Sequence, residues 1–283
     1  MNFEKWQALG NDYVILDERT IPFALTPERI RRLCAPHTGI ASDGILLMSA
    51  PDEPGFVANM RIFNPDGSEA ELSGNGAREA ILYLRRRRWT EQNSFSIKTL
   101  AGEIRAQITS PTTCRVDMGR ARLASGDHPN GAADGRGELT AAGRPWSFQH
   151  VQAGNPQCSI AVDSETELER LDLPAIGPAL EHHELFPNRT NVSWYTVLGP
   201  GRIRARIFER GVGETSASGT GAIGAAVAYV LKGGDSPVTV VLDGGELEVE
   251  VGDDLHIYLT GWAVPVMRGT IAEELVEDLL ATE

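Results

Sequence analysis

Two short stretches place a hydroxyl and glycines where a loop is expected to give way to a helix: Ser73-Gly74-Asn75-Gly76 and Ser218-Gly219-Thr220-Gly221. Free backbone N–H groups at a helix start, reinforced by the positive end of the helix dipole, make an anion site, and glycine lets a ligand approach the main chain closely. A carboxylate held between two such ends would have one serine on each side of its α-carbon. The plainer role of either serine is to cap its helix, for which Ser is favoured. Two copies of the whole motif, each preceded by a polar loop, weigh against capping alone.

The two motifs belong to a longer repeat. Residues 61–77, RIFNPDGSEAELSGNGA, align without a gap on 206–222, RIFERGVGETSASGTGA, with 8 of 17 positions identical. Gly10-Asn11 pairs with Gly154-Asn155, Ala101-Gly102-Glu103-Ile104 with Gly244-Gly245-Glu246-Leu247, and Gly119 with Gly261. A period this long indicates duplicated domains rather than a solenoid. The expected division is an N-terminal repeat over 1–120, a Gly/Ala/Asp-rich linker over 121–144, a C-terminal repeat over 145–265 and a tail helix over 266–283.

Each half reads as a strand after Gly-Asn, further strands, a strand at RIF, a Gly-rich turn, a helix and a hairpin. Alternating or β-branched runs predict strands at Tyr13 to Leu16, Phe95 to Thr99, Val238 to Leu242 and Leu247 to Val251, with Asp243-Gly244-Gly245 turning between the last two. In the first half Ala77 to Arg88 reads as an amphipathic helix. Its counterpart, Ala222 to Lys232, is apolar nearly all round and should be buried, wrapped by its own sheet. The acidic segment from Thr270 onward reads as a short helix.

Length and composition agree with two domains. At 283 residues the chain exceeds what one core usually supports, and 41 % hydrophobic residues can fill two. A net charge of −13 disfavours nucleic acid and anionic membranes. The exception is Arg85 to Arg88, which reads as a cationic helix C-terminus. No apolar run approaches a bilayer span, so a cytoplasmic protein is expected. Cys34, Cys114 and Cys158 lack metal-like spacing and read as reduced buried thiols. Neither glycine segment fits a P-loop or a dinucleotide fingerprint, so no cofactor and no metal are expected.

MRIFNPDGSEAELSGNGAR (Met60 to Arg78) and FERGVGETSASGTGA (Phe208 to Ala222) resemble the two signature segments of the diaminopimelate epimerase family. The resemblance continues through KWQALGNDY near the start, HTGIASDG at His37 to Gly44, GNPQ at Gly154 to Gln157 and FPNRTNV at Phe186 to Val192. It implies an α+β fold of two pseudo-symmetric domains, each a mainly antiparallel sheet wrapped around a central helix, with the active site in the cleft between them. The implied activity is cofactor-independent inversion of LL-2,6-diaminopimelate to the meso form, in lysine and peptidoglycan precursor synthesis. A small amino acid is then the partner, with a homodimer as one option for assembly.

The family removes and returns the α-proton with two thiols, and the matching positions here are Ser73 and Ser218. A family histidine after Gly-Asn-Pro is replaced by Gln157, and Gly44 stands where some relatives carry a longer polar residue. The resemblance makes Ser73, Ser218, Glu209 and Gln157 the catalytic candidates. It assigns Asn11, Asn64, Gly74, Asn75, Asn155, Asn191, Arg210, Gly219 and Thr220 to substrate binding. Asn64 and Asn191 have the alternative of serving turns, and Arg210 that of pairing with Glu209.

An alcohol lies roughly five pK units above a thiol, which makes its basic form ~7 kcal/mol harder to reach. Serine therefore needs a neighbour to take its proton. Glu209 is the first candidate and Asp66 the second. The serines fit a double Cys→Ser form, a serine-bearing epimerase, or a chain that only binds ligand; Gln157 favours a divergent member. A racemase or dehydratase acting on a proline derivative is the enzymatic alternative, and such a ring would not need Arg210 and the asparagines.

Overall fold

The computed structural model describes residues 1–282, which cluster into two units: Met1–Val116 with the segment from Gly261 onward, and Asp117–Thr260. Along the chain the first unit is built from β1 (Asn2–Ala8), β2 (Asn11–Asp17), α1 (Pro27–Cys34), β3 (Ile45–Ser49), β4 (Phe56–Phe63), β5 (Glu69–Ala70), α2 (Gly74–Arg86), β6 (Ser94–Thr99), β7 (Gly102–Ser110) and the start of β8 (Thr113–Arg120), which runs on into the second. The second contains β9 (Arg136–Ala141), β10 (Arg144–Ala153), β11 (Asn155–Ala161), α3 (Glu165–Arg170), α4 (Leu173–Glu181), β12 (Asn191–Gly199), β13 (Arg202–Glu209), β14 (Gly213–Thr215), α5 (Gly219–Leu231), β15 (Val238–Leu242), β16 (Gly245–Val251) and β17 (His256–Trp262). Then β18 (Val264–Thr270) and α6 (Glu273–Ala281) return to the first unit.

Strand pairing repeats the duplication. In the first unit β1 to β2 is antiparallel, β2 to β3 parallel, β3 to β4 antiparallel, β4 to β6 parallel, and β6 to β7 antiparallel. The second unit has the same series in β10 to β11, β11 to β12, β12 to β13, β13 to β15 and β15 to β16. One more strand closes each start: β18 pairs with β1, and β9 with β10.

The expected boundaries therefore need adjustment. Part of the 121–144 stretch forms β9, because Leu139 and Ala141 alternate inward and pair with the Trp146 strand. Likewise the tail from 266 begins as strand β18, and only Glu273–Ala281 is helical. That helix is anchored on α1, where the Arg29 guanidinium donates to Leu279 O at 2.7 Å and Arg32 meets Asp278 at 3.2 Å.

A central helix lies against the sheet of each unit: α2 packs on β1, β2, β3 and β7, and α5 on β10 to β13, β15 and β16. In α5 every residue from Gly219 to Tyr229 is buried, as an all-apolar surface requires. The same holds in α2 from Gly74 to Leu84, whose amphipathic sequence turns no face to solvent there; Arg78 and Glu79 are buried with the rest. Only its end carries exposed cations. There Arg87 pairs with the buried Glu4 and Arg85 with Glu91 at 3.0 Å, the helix-terminal role expected of the arginine run.

Close helix-to-sheet approach depends on glycine. A Cβ at Gly221 would lie 2.7 Å from Ile207 Cδ1, and one at Gly224 2.8 Å from Gln157 Cβ. Outer helices cover the other faces, α3 and α4 over Trp146, Ile160 and Trp194, and α1 with α6 over Val14, Leu16 and Phe63. All three cysteines are buried and free. Among the described residues no helix is long and apolar enough to cross a membrane.

Candidate active site

The two Gly-rich motifs form the same local structure. Ser73 is the N-cap of α2 at φ −135°, ψ 119°, and Ser218 is the N-cap of α5 at φ −138°, ψ 123°. Ser73 Oγ accepts from Gly76 N–H at 3.0 Å, and Ser218 Oγ from Gly221 N–H at 3.2 Å. Capping is thus part of what each serine does. The first intrahelical bonds run from Ala77 N–H to Ser73 O and from Ala222 N–H to Ser218 O. Ahead of them, the N–H groups of Gly74 and Asn75, and of Gly219 and Thr220, open each helix with no intrahelical acceptor, the pattern that suits an anion.

Around Ser218 the side chains hold a carboxylate. Its hydroxyl donates to Glu209 Oε2 at 3.1 Å, and Thr215 Oγ1 donates to Glu209 Oε1 at 2.7 Å. Glu209 ends β13, and the short β13 to β14 hairpin turns the chain back so that Thr215 and then Ser218 reach its carboxylate. Burial raises the Glu209 carboxyl above the ordinary range, against the opposing pull of the Thr215 and Ser218 hydrogen bonds.

Arg210 makes no pair with Glu209. Its backbone N–H donates to Asn191 Oδ1 at 2.8 Å, and its Nη1 to Asn188 O at 3.0 Å. Asn191 is buried, and its Nδ2 donates to Pro156 O at 3.2 Å, so both ends of this amide hold protein backbone. Gln157 lies fully buried beneath α5 and donates through Nε2 to Asn155 Oδ1.

In the first unit a chain of side chains orders the start of α2. Arg78 donates through Nη2 to Asn75 Oδ1 at 2.7 Å and through Nη1 to Gly74 O at 3.0 Å. Asn75 Nδ2 donates to Asn11 Oδ1 at 3.2 Å, and Asn11 Nδ2 to Asp43 Oδ2 at 2.8 Å. Asn64 belongs to the turn before β5, its Nδ2 donating to Ser68 Oγ at 2.9 Å. Asp66 is likewise a turn residue. It accepts from Ser68 N–H at 2.9 Å and Ser68 Oγ at 2.6 Å, and these bonds hold its exposed carboxyl below the usual range, the opposite of what a base needs.

Three contributors were not singled out from the sequence. Tyr13 O–H donates to Ser73 Oγ at 3.2 Å, Thr215 holds Glu209, and Arg78 orders Asn75. A signal existed for Tyr13: two residues after Asn11 on a strand, it must share that residue's face. Thr215 and Arg78 carried none, because each acts through a contact that only the folded hairpin or helix creates.

Duplicated units of this topology, each with a loop that runs into the N-terminus of its central helix, define a two-domain α+β fold shared with solved structures. Among solved structures, a hydroxyproline epimerase from Agrobacterium vitis with bound trans-4-OH-L-proline matches 96 % of this chain and 92 % of its own at a TM-score of 0.67 and 13 % identity, a likeness of fold alone. The family model described as diaminopimelate epimerase matches residues 3–124 and 150–266. A diaminopimelate epimerase of Synechococcus sp. (strain JA-3-3Ab) is 42 % identical over 282 residues, covering 96 % of this chain and 99 % of its own. One from Desulfitobacterium hafniense (strain DSM 10664 / DCB-2) is 38 % identical over 285 residues, covering 97 % and 99 %. The chain belongs to the diaminopimelate epimerase family.

Proposed function

We propose that the chain interconverts LL- and meso-2,6-diaminopimelate by two-base proton transfer at one α-carbon, without a cofactor, using Ser73 and Ser218 where the family's thiols are expected. The observation that carries this reading is the contact of Ser218 Oγ with Glu209, a carboxylate made more basic by burial. It supplies what an alcohol lacks, a neighbour able to take its proton.

The residues divide the work as follows. The free backbone N–H groups of Gly74 and Asn75, and those of Gly219 and Thr220, are each suited to a substrate carboxylate and to the enolate-like charge that develops beside it. Ser218 Oγ takes the α-proton as its own hydrogen passes to Glu209, and Ser73 supplies a proton to the opposite face. Arg210 uses Nη1 on Asn188 O, and the rest of its fork suits a distal carboxylate bidentately. Asn11 and Asn155, each held by a neighbouring amide, complete the polar lining. Asn191 acts by holding the Arg210 backbone, and Asn64 by shaping the turn ahead of α2. A cyclic amino acid would leave the Arg210 fork unused, which favours the open-chain diacid.

Incubation of the protein with each isomer of diaminopimelate in D2O tests the reading, with α-proton loss followed by NMR and isomer ratio by chiral separation. Deuterium entry with interconversion is the expected result. Absence of exchange over hours at high enzyme concentration overturns it.

A further inference from the structure

The two serines differ in the direction of their hydrogen bonds. Ser218 Oγ accepts one hydrogen, from Gly221 N–H, and gives its own to Glu209, so a lone pair remains for substrate. Ser73 Oγ accepts two, from Gly76 N–H at 3.0 Å and from Tyr13 O–H at 3.2 Å, so its own hydrogen remains for substrate. One serine is arranged to take a proton and the other to give one.

We infer that Tyr13 is the proton-relay partner of Ser73, the counterpart in the first unit of Glu209 in the second, and that the chain is set with opposite proton polarity at its two serines. The inference rests on the epimerase reading above. Two features aim the phenol. Asn11 and Tyr13 lie on one face of β2 and both reach the first turn of α2, Asn11 at Asn75 and Tyr13 at Ser73. Beside them, a Cβ at Gly44 would lie 2.7 Å from Tyr13 Cε1 and would collide with Phe63 O, so a larger residue there would displace the ring.

The relay balances. On one face the Cα–H bond breaks, a Ser218 Oγ–H bond forms, and the former Ser218 hydrogen goes to Glu209. On the other, the Ser73 O–H bond breaks as the new Cα–H bond forms, and the Tyr13 hydrogen moves to Ser73. Glu209 ends protonated and Tyr13 ionised, and exchange with water restores both. A phenol is a stronger acid than an alcohol, so coupling to Tyr13 eases donation by Ser73.

Tyr13→Phe keeps the ring and removes the relay. Inversion of diaminopimelate is expected to lose about 10²-fold or more in kcat with KM little changed, the scale of general acid–base assistance. Deuterium should still enter one isomer without inversion, because Ser218 and Glu209 remain. In a Ser73→Cys background the same change should cost less than about threefold, since a thiol donates near neutral pH without a phenol. Inversion by Tyr13→Phe at the unaltered rate overturns the relay. So does an equal loss of exchange from both isomers, or an undiminished penalty in the Ser73→Cys background. Absence of exchange with the unaltered chain overturns the epimerase reading and the relay with it, an outcome separate from an active parent with an indifferent variant.

Discussion

Glu209 Oε2 accepts the Ser218 hydroxyl hydrogen across 3.1 Å, while the second carboxylate oxygen is held by Thr215 at 2.7 Å. A half-buried carboxylate clamped at both oxygens is oriented, and its desolvation raises its pKa toward that of the group it must deprotonate. Glu209→Gln should keep the size of the side chain and one acceptor of the clamp and remove the base. A fall of about 10²- to 10⁴-fold in kcat is expected, the range seen for general acid–base groups.

Proton acceptance also fixes a pH dependence. Only the ionised Glu209 can take the Ser218 hydrogen, so activity should rise with pH through a pKa above the ordinary glutamate value of about 4.3. A kcat/KM profile measured on the free enzyme reads this limb directly. A limb at or below the ordinary value would contradict the assignment of Glu209 as the base.

Replacing both serines by cysteine tests the chemistry from the other side. The backbone at both caps is nearly superimposable in φ and ψ, so the thiols would stand where the hydroxyls do. A thiolate is roughly five pK units easier to form than an alkoxide. Ser73→Cys with Ser218→Cys should therefore raise the rate of α-proton exchange from diaminopimelate, and a double variant with no gain would count against that substrate.

What the sequence revealed and what it hid follow a physical line. The repeat placed both helix starts and both caps, because glycines that permit close packing, such as Gly221 against Ile207, leave a mark in the chain itself. Burial of α5 was legible from its apolar surface. Burial of α2 was not, since Arg78 and Glu79 look solvent-facing until a sheet encloses them. Strand β9 was masked by the Gly-, Ala- and Asp-rich stretch before it, and its pairing with β10 is a tertiary fact. The site shows the same split. Glu209 stands in a motif the chain displays, whereas the burial of Gln157 under α5 and its bond to Asn155 arise only when the helix closes on β11.

Glu79 predicts a pH dependence of stability. It is fully buried on α2, and desolvation raises its pKa well above the ordinary value against the opposing charge of Arg78. A carboxyl with a raised folded-state pKa contributes stability that is complete below its unfolded pKa and is lost as pH rises through the folded one. Glu79→Gln removes that loss. Thermal unfolding across pH should give near-equal midpoints in acid, with the variant gaining on the parent as pH increases.

Gly224 predicts the cost of moving α5 off its sheet. A Cβ there would lie 2.8 Å from Gln157 Cβ and 2.9 Å from Ser159 Oγ, both on β11. Neither neighbour can yield easily, since Gln157 and Ser159 are themselves buried against the helix. Overpacking of this kind costs about 1–3 kcal/mol, so Gly224→Ala should lower the denaturation midpoint even though the alanine itself favours helix. Because Ser218 and Thr220 ride on the first turn of the same helix, the variant should also lose activity beyond its loss of folded protein, measured as kcat on the folded fraction. A variant as stable and active as its parent would mean that α5 can shift without disturbing the Ser218 to Glu209 contact.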